Sequence, residues 1–599
     1  MTANQKLNQA TSSTDLDSRR ASELKSPLVR LVRTEPTGTE LPEAFSEIST
    51  YYIANNLCGL SISPSLLLSS LVTDSVNKLH QVTTMSPAPA LPEAKDITHH
   101  LTKQVRAQTP SAMKAYAMLL SNKNLLSLAG GLPHPSLFPL QHATFTMPDL
   151  ASLTGDVSAW QNGEASTDTI HLKKTGPGTE NDPEGLLDLN EVLQYGLSNG
   201  FSELTEKLQE LNDLTHGRAH ADHAVYVSLG NTDGVSKTFS LFVEPGDIVL
   251  SEEYSFSSSL NSGRARGATF YPVKVDGQGL VPEELDRVLT EWDDAVGKKP
   301  HLLYTIPCGQ NPTGSVQPQE RYDAIYAICQ KHDVIIMEDD PYFALQYTAY
   351  EPDLAAREAH FAEARARMPA AAATAIEDNA SAVAAVHNAY AGVASYLSRD
   401  VDGRVVRIDT VSKVFGPGMR IGWVSAQASI VERLMRIGET STQVPNNLGQ
   451  AVIASYLSDQ HWGVGGWIRW TWGVRLEYQA KRDYFLDRLA EYVPAELVTT
   501  TPAMGGMFQW LKVNVDKHPR YDPAGVTNTG ALMDELFEYL IKEGNVLLMP
   551  ARLFQVPVPG VDSSDRANFF RATFAGDLPT IDGALKRFGD SLQAWLARG

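Results

Sequence analysis

From about residue 190 to 430, short runs of apolar and β-branched residues recur between longer segments with helical spacing: "AVYVSL", "DIVLSE", "ATFYPVKV", "HLLYTIP", "VIIMED", "VVRIDT" and "GWVSA". Strands covered on both faces read as near-continuous apolar runs, and parallel neighbours are joined through helices. The pattern predicts an α/β domain with a mostly parallel sheet between helices. In such sheets ligands gather at the carboxyl ends of the strands. The polar residues that follow each run are therefore the first candidates for chemistry.

The flanking regions are patterned differently. Residues 1–95 are rich in Ser and Thr, nearly balanced in charge, without a sustained period, and end in "SPAPALPEAK"; they are expected to be a poorly ordered extension and linker. Helical spacing begins in "DITHHLTKQVRAQTPSAMKAYAMLL", so 96–127 is expected to be the N-terminal segment of a smaller domain and 128–470 a large domain. Within the latter, 350–396 is an Ala-rich insertion, either a small helical excursion or a disordered loop, too poor in bulky apolar residues to form a core of its own. A long helix, "WIRWTWGVRLEYQAKRDYFLDRLAEY", leads into "GGMFQWLKV", "GNVLLMP" and "NFFRATFA", which predict a smaller α+β domain over 471–599. No internal repeat is found.

Composition narrows the function. The chain has 599 residues, 43% hydrophobic and 20% charged, with a formal net charge of -20. Binding a phosphate backbone needs a basic surface, so nucleic acid is not expected as a partner. No apolar run reaches the roughly 18 residues of a membrane span; "LCGLSISPSLLLSSLV" is broken by serines and Pro64. Cys58, Cys308 and Cys329 are too few and scattered for a disulfide framework or a metal cluster, and no metal is expected. No secretory leader pattern is present, and Asp15, Asp17 and Glu23 spoil a faint Arg/Ser presequence. The cytoplasm is expected ahead of the mitochondrion.

The strand ends carry four polar motifs. "CGQNPTG" offers the Asn311 amide in a turn fixed by Pro312 and Gly314, and alone it reads equally as an ordinary Asn-Pro turn. "EDDPY" places three acids after a buried strand, where they repel one another without a nearby cation, unless they are a solvated loop or cap. "LGNTDGVSK" sets Gly230, Asn231 and Thr232 before a helix, which suits an anion or a plain helix cap. "RIDTVSKVFGPGMRIG" surrounds Lys413 with Thr410, Ser412, glycines and Arg420. Together they ask for one ligand with a phosphate, a basic ring nitrogen, a phenolate oxygen and a carbonyl carbon. Pyridoxal 5′-phosphate has all four.

These motifs, with "SLAGGLPHPSLFP", "LQYGLSNGFSEL", "EDDPYFALQY" and "FFRATFA", resemble fold-type I pyridoxal-phosphate aminotransferases of class I/II, in the branch of fungal aromatic and kynurenine/2-aminoadipate aminotransferases. The resemblance covers about 96–599 outside the insertion. It implies that Lys413 bonds to the cofactor aldehyde, Asp339 pairs with the pyridine nitrogen, and Tyr342 and Asn311 lie at its phenolate oxygen. Tyr254 is similar to the ring stacked on the pyridine, and Asn231, Thr232, Thr410, Ser412 and Arg420 to the phosphate ligands. Tyr195 resembles a tyrosine reaching the phosphate of the neighbouring subunit, which implies a homodimer. Arg571, with Asn311 beside it, matches the grip on the substrate α-carboxylate. Thr232 departs from the glutamine often found there.

The implied reaction moves an amino group from an L-amino acid (aromatic, kynurenine or 2-aminoadipate) to a 2-oxo acid such as 2-oxoglutarate. Rivals are a lyase or decarboxylase on the same cofactor, a transcription regulator with an aminotransferase-like domain, and a non-catalytic scaffold. The regulator is disfavoured because the N-terminal stretch lacks a helix-turn-helix pattern.

Overall fold

A computed structural model describes residues 91–109, 111, 126, 128, 131–153, 157–175, 187–366, 395–523, 528–557 and 563–598. Most of the expected N-terminal extension, and residues 367–394 of the insertion, lie outside the described residues; the insertion begins as a helix, Leu354–Ala366.

Seven strands form the main sheet: β1 (His223–Ser228), β2 (Ile248–Glu252), β3 (Thr269–Val273), β4 (Leu302–Thr305), β5 (Ile335–Asp339), β6 (Val405–Thr410) and β7 (Gly422–Gln427). Their order is β1-β7-β6-β5-β4-β2-β3. β3, β2, β4, β5 and β6 pair in parallel, and β7 runs antiparallel to both β6 and β1. Six of the seven predicted runs coincide with strands buried along most of their length, and "ATFYPVKV" contains β3.

The apolar runs are continuous because both faces are covered. Leu302, Tyr304, Ile335 and Met337 pack on one side with Val235 and Phe239 of the helix Asn231–Phe242. Leu303 and Ile336 pack on the other with Ile325 and Cys329 of the helix Gln319–His332. Six helices matter here: α1 (Ser202–His216), α2 (Asn231–Phe242), α3 (Ser257–Arg264), α4 (Gln319–His332), α5 (Gly463–Tyr492) and α6 (Leu578–Leu596). None among the described residues is long and apolar enough to cross a membrane.

A second, antiparallel sheet follows in the order β8 (Val498–Thr499), β9 (Phe508–Val513), β11 (Phe569–Thr573), β10 (Met549–Pro550). Helix α5 runs straight through position 470, where a domain boundary was expected. Its Trp467 and Trp472 belong to one apolar cluster that extends from Leu204 and Leu208 of α1 to Phe570 of β11 and Trp595 of α6. The segment from residue 96, expected with the smaller domain, packs instead on the main sheet: Ile97, Leu101 and Val105 join the cluster of Phe242 and Ile335. Its apolar spacing marks a buried face without saying which sheet receives it.

Candidate active site

The carboxyl ends of β1, β4, β5 and β6 converge on a cleft of about 310 Å³, with Phe508 and Arg571 of the smaller sheet closing it. The three acids of "EDDPY" are separated by the two-residue period of a strand. Glu338 and Asp340 face one way and meet Arg407 Nη1, each at 3.0 Å, while Arg407 Nη2 reaches Asp409 Oδ1 at 2.7 Å. Arg407 is fully buried. It is the cation that the acidic run requires. Asp339 faces the other way, into the cleft.

Three donors fix the Asp339 carboxylate. Tyr304 Oη donates at 2.6 Å, Ser259 Oγ of α3 at 3.5 Å, and the Asn231 amide supplies a short hydrogen bond to the other oxygen. Burial pushes Asp339 up to about 6, against the pull of these donors and of the Lys413 charge. It therefore remains mostly an anion at neutral pH, held in one orientation. Tyr304 and Ser259 were not singled out from sequence. The signal was present in Tyr304, a hydroxyl within an apolar strand, paired with Met337 and so on the face that Asp339 shares.

Lys413 ends a tight turn, Val411–Lys413, whose entry is fixed by the Thr410 hydroxyl: Oγ1 accepts from Ser412 N at 3.2 Å, donates to Ile421 O at 2.9 Å, and lies 2.8 Å from Ser412 Oγ. The amine stands 6.0 Å from the centre of the Tyr342 ring. Burial lowers its pKa, Asp339 opposes the shift, and Arg420 and Arg571 add to it. A lysine so placed reaches its neutral, nucleophilic form more readily than one in water. The Tyr342 phenol is pushed up by burial and stays protonated.

At one end of the cleft, Gly230 adopts φ +78°, and a Cβ there would lie 2.6 Å from Arg420 Nη2. Only glycine lets the chain turn into α2 while the guanidinium lies over it. Arg420 itself is left-handed at φ 54° and donates to Leu229 O and Pro417 O. Asn231 and Thr232 open a helix whose first-turn N–H groups have no partner within it, and both line the cleft with Ser412 and with Thr410, whose own hydroxyl proton is committed to Ile421 O. This donor set suits a phosphate. The Asn231 side chain serves Asp339 instead, and its Oδ1 is buried without a partner.

At the other end, Arg571 Nη1 donates to Asn311 Oδ1 at 2.8 Å, and its guanidinium lies 4.1 Å from the Phe508 ring centre and 4.6 Å from that of Phe554. Clamped on both flanks, the fork is oriented to accept a carboxylate. The cleft thus joins a cationic end with free backbone N–H groups, an amine, a buried anion and an oriented guanidinium, a set with the charges and donors to suit an anionic aldehyde.

Two expected residues lie elsewhere. Tyr254 does not line the cleft; its Oη donates to Arg566 O at 2.8 Å and its ring packs among Trp510, Phe554 and Phe569. Phe256, at the N-cap of α3, takes the aromatic place in the lining. Tyr195 is 62% exposed and away from the cleft of its own chain. Lys413, Asp339, Tyr342, Asn231, Thr232, Asn311, Thr410, Ser412, Arg420 and Arg571 are brought together.

The family model described as Aminotransferase class I and II matches residues 160–588. An L-tyrosine:2-oxoglutarate aminotransferase of Serpula lacrymans var. lacrymans is 36% identical over 534 residues, covering 83% of this chain and 96% of its own. An aromatic amino acid aminotransferase of Schizosaccharomyces pombe is 34% identical over 506 residues, with 84% and 98% covered. The crystal structure of aminotransferase Aro8 from Candida albicans superposes with a TM-score of 0.72 at 34% identity, covering 84% of this chain and all of that one.

Proposed function

The chain belongs to the class I and II aminotransferases and is a transaminase acting between an amino acid and a 2-oxo acid, and on that footing we propose that it holds pyridoxal 5′-phosphate in the cleft and takes its amino group from an aromatic L-amino acid, with 2-oxoglutarate as acceptor. The observation that carries this reading is the common cleft of Asp339 and Lys413 with Arg420 at one end and Arg571 at the other.

The residues fit the cofactor group by group. The Gly230 turn has no room for a Cβ beneath Arg420, and the orphaned Asn231 Oδ1 marks a polar place left open. Arg420, Ser412 and the start of α2 would hold the phosphate, with Thr410 fixing the turn that presents Ser412, Asp339 the ring nitrogen, Asn311 and Tyr342 the phenolate oxygen, and Phe256 one ring face. When bound, the cofactor supplies an aldehyde that takes up the amino group and a protonated ring that withdraws electrons from the substrate Cα.

The chain's own residues do the rest. Asp339, kept anionic by three donors, favours a proton on a ring nitrogen facing it. Lys413 would be the amine that engages the cofactor's aldehyde carbon and the base that moves a proton at the substrate Cα. Arg571 binds the α-carboxylate, and Asn311 keeps the fork in place. The apolar walls, Ile306, Phe508 and Tyr342, exclude water and suit an aromatic side chain, the donor class named for the relatives. Tyr195, with Leu197 55% exposed beside it, supports a homodimer in which that tyrosine reaches the partner's phosphate cradle.

The test is the visible spectrum of the purified protein with added pyridoxal 5′-phosphate, beside Lys413→Ala. The wild type should show a band that the variant lacks, and L-tyrosine or L-phenylalanine alone should bleach it stoichiometrically; 2-oxoglutarate should restore it. No band in the wild type would overturn the cofactor assignment. Catalytic release of ammonia or carbon dioxide from the donor alone would replace transamination by lyase or decarboxylase chemistry.

A further inference from the structure

At the end of β5 opposite Asp339, where α4 hands over to the strand, two imidazoles from one segment of chain converge on one carboxylate. His99 Nε2 lies 2.7 Å from Asp333 Oδ2 and His100 Nε2 lies 3.2 Å from Asp333 Oδ1. One donor atom from each of the three residues falls within 4.8 Å of the other two. Tetrahedral bonds of about 2.0 Å place ligand atoms about 3.3 Å apart. We propose that His99, His100 and Asp333 form a binding site for a divalent transition metal of the zinc class, remote from the transamination cleft.

The surroundings are those of a ligand set. Asp333 caps the carboxyl end of α4 in a left-handed conformation, φ 54°, which aims its carboxylate back at Thr98–His100, a short turn of 3-10 helix. His100 is buried, while His99 and Asp333 are open to a cavity of about 540 Å³ through which an ion and its waters can enter. To ligate through Nε2, His100 must carry its proton on Nδ1. That atom lies 3.1 Å from His301 Nδ1, and His301 Nε2 lies 3.5 Å from Asp247 Oδ2. His301 can accept at Nδ1 while directing its own N–H at the carboxylate, the kind of outer partner that fixes a metal-binding tautomer.

The donor set also selects the metal. The ligand set has one carboxylate, with Arg404 Nη1 3.7 Å from it, and the cavity's other acids, Glu244 and Asp247, are balanced by Lys103, Lys298 and Lys299 in the same lining; this offers too few oxygens for Mg²⁺ or Ca²⁺, which bind through several. Two imidazoles favour Zn²⁺, Ni²⁺ or Cu²⁺. A bound ion would join the segment at residues 99–100 to the end of α4, holding the N-terminal part of the described chain onto the main sheet.

The experiment is calorimetric titration of the full-length holoenzyme with ZnCl₂, alongside His99→Ala and Asp333→Asn. His99 is exposed and asparagine tolerates the left-handed backbone, so both variants should fold, which their unchanged transamination rate without zinc would confirm. The wild type should bind one Zn²⁺ per chain at this site, and each variant should bind at least about 10-fold more weakly. Saturating zinc should raise the wild-type Tm by a few degrees and leave the variants nearly unmoved, because an ion held only by the native site stabilises only the native state. MgCl₂ should do neither. Equal zinc binding by the wild type and both variants, or no binding at about 1 mM zinc, a thousandfold above a micromolar Kd, would overturn the proposal.

Discussion

Tyr304 Oη donates a 2.6 Å hydrogen bond to Asp339 Oδ2 from the neighbouring strand, and the phenol is wholly buried. The bond is one of the forces holding the Asp339 pKa down near 6 against burial. In Tyr304→Phe that restraint is gone, so the carboxylate titrates at higher pH. A hydrogen bond to a charged group contributes about 1.5 kcal/mol, or roughly one pKa unit. The acid limb of the kcat/KM profile should therefore move up by about one unit, with about a threefold loss at pH 6.5 and recovery near pH 8.5. A uniform loss at every pH would mean that Tyr304 only packs.

Arg571 is clamped by Asn311 and two aromatic rings, so its fork rather than its charge alone should matter. Arg571→Lys keeps the charge and loses the second hydrogen bond, worth about 1.5–3 kcal/mol to a carboxylate. The KM for the amino donor should rise about 10- to 100-fold, with a smaller change in kcat, in steady-state kinetics with 2-oxoglutarate saturating. Asn311→Ala should move KM the same way by unclamping the guanidinium.

Phe256 and Tyr254 are separable. Phe256→Ala removes a ring from the cleft lining and should weaken pyridoxal phosphate binding by about 2- to 12-fold, the range of a 0.5–1.5 kcal/mol aromatic contact, as read by spectroscopic titration. Tyr254→Phe removes only the hydrogen bond to Arg566 O, and should cost about 1 kcal/mol of stability without changing that titration. The reverse result would return Tyr254 to the role its sequence position suggested.

That pair shows where sequence reading stops. The seven apolar runs were legible because a sheet covered on both faces leaves no polar alternation to mislead, and Lys413, Asp339, Asn311 and Arg571 were legible because each follows or occupies such a run at a motif position. Tyr254 and Phe256 sit two residues apart in "SEEYSF", and only the path of the chain into α3 decides which ring meets the cleft. The main-sheet packing of Ile97 and Leu101 was equally hidden, since an amphipathic spacing names a buried face and not its partner. The cation that "EDDPY" demands was foreseeable in kind, but Arg407 lies about seventy positions away in sequence and is brought to Glu338 by parallel register.

Arg407 gives the sharpest test of how the cleft is supported from behind. It is fully buried among Glu338, Asp340 and Asp409, all three pushed above their ordinary pKa by burial, Asp340 and Asp409 to about 6. Acids with raised folded-state pKa values bind more protons folded than unfolded. They therefore favour the native state below about pH 4, and that contribution is lost as pH rises through about 6. Arg407→Met removes the cation and drives these pKa values higher, so the deficit is greatest where the carboxylates must be charged. Breaking a buried ion cluster this way costs about 3–5 kcal/mol. Urea denaturation should show that deficit at pH 7 and at most half of it at pH 5, where the acids can be neutral. The guanidinium also lies 4.9 Å from the Phe343 ring centre, so an equal deficit at both pH values would assign the loss to that packing and not to charge.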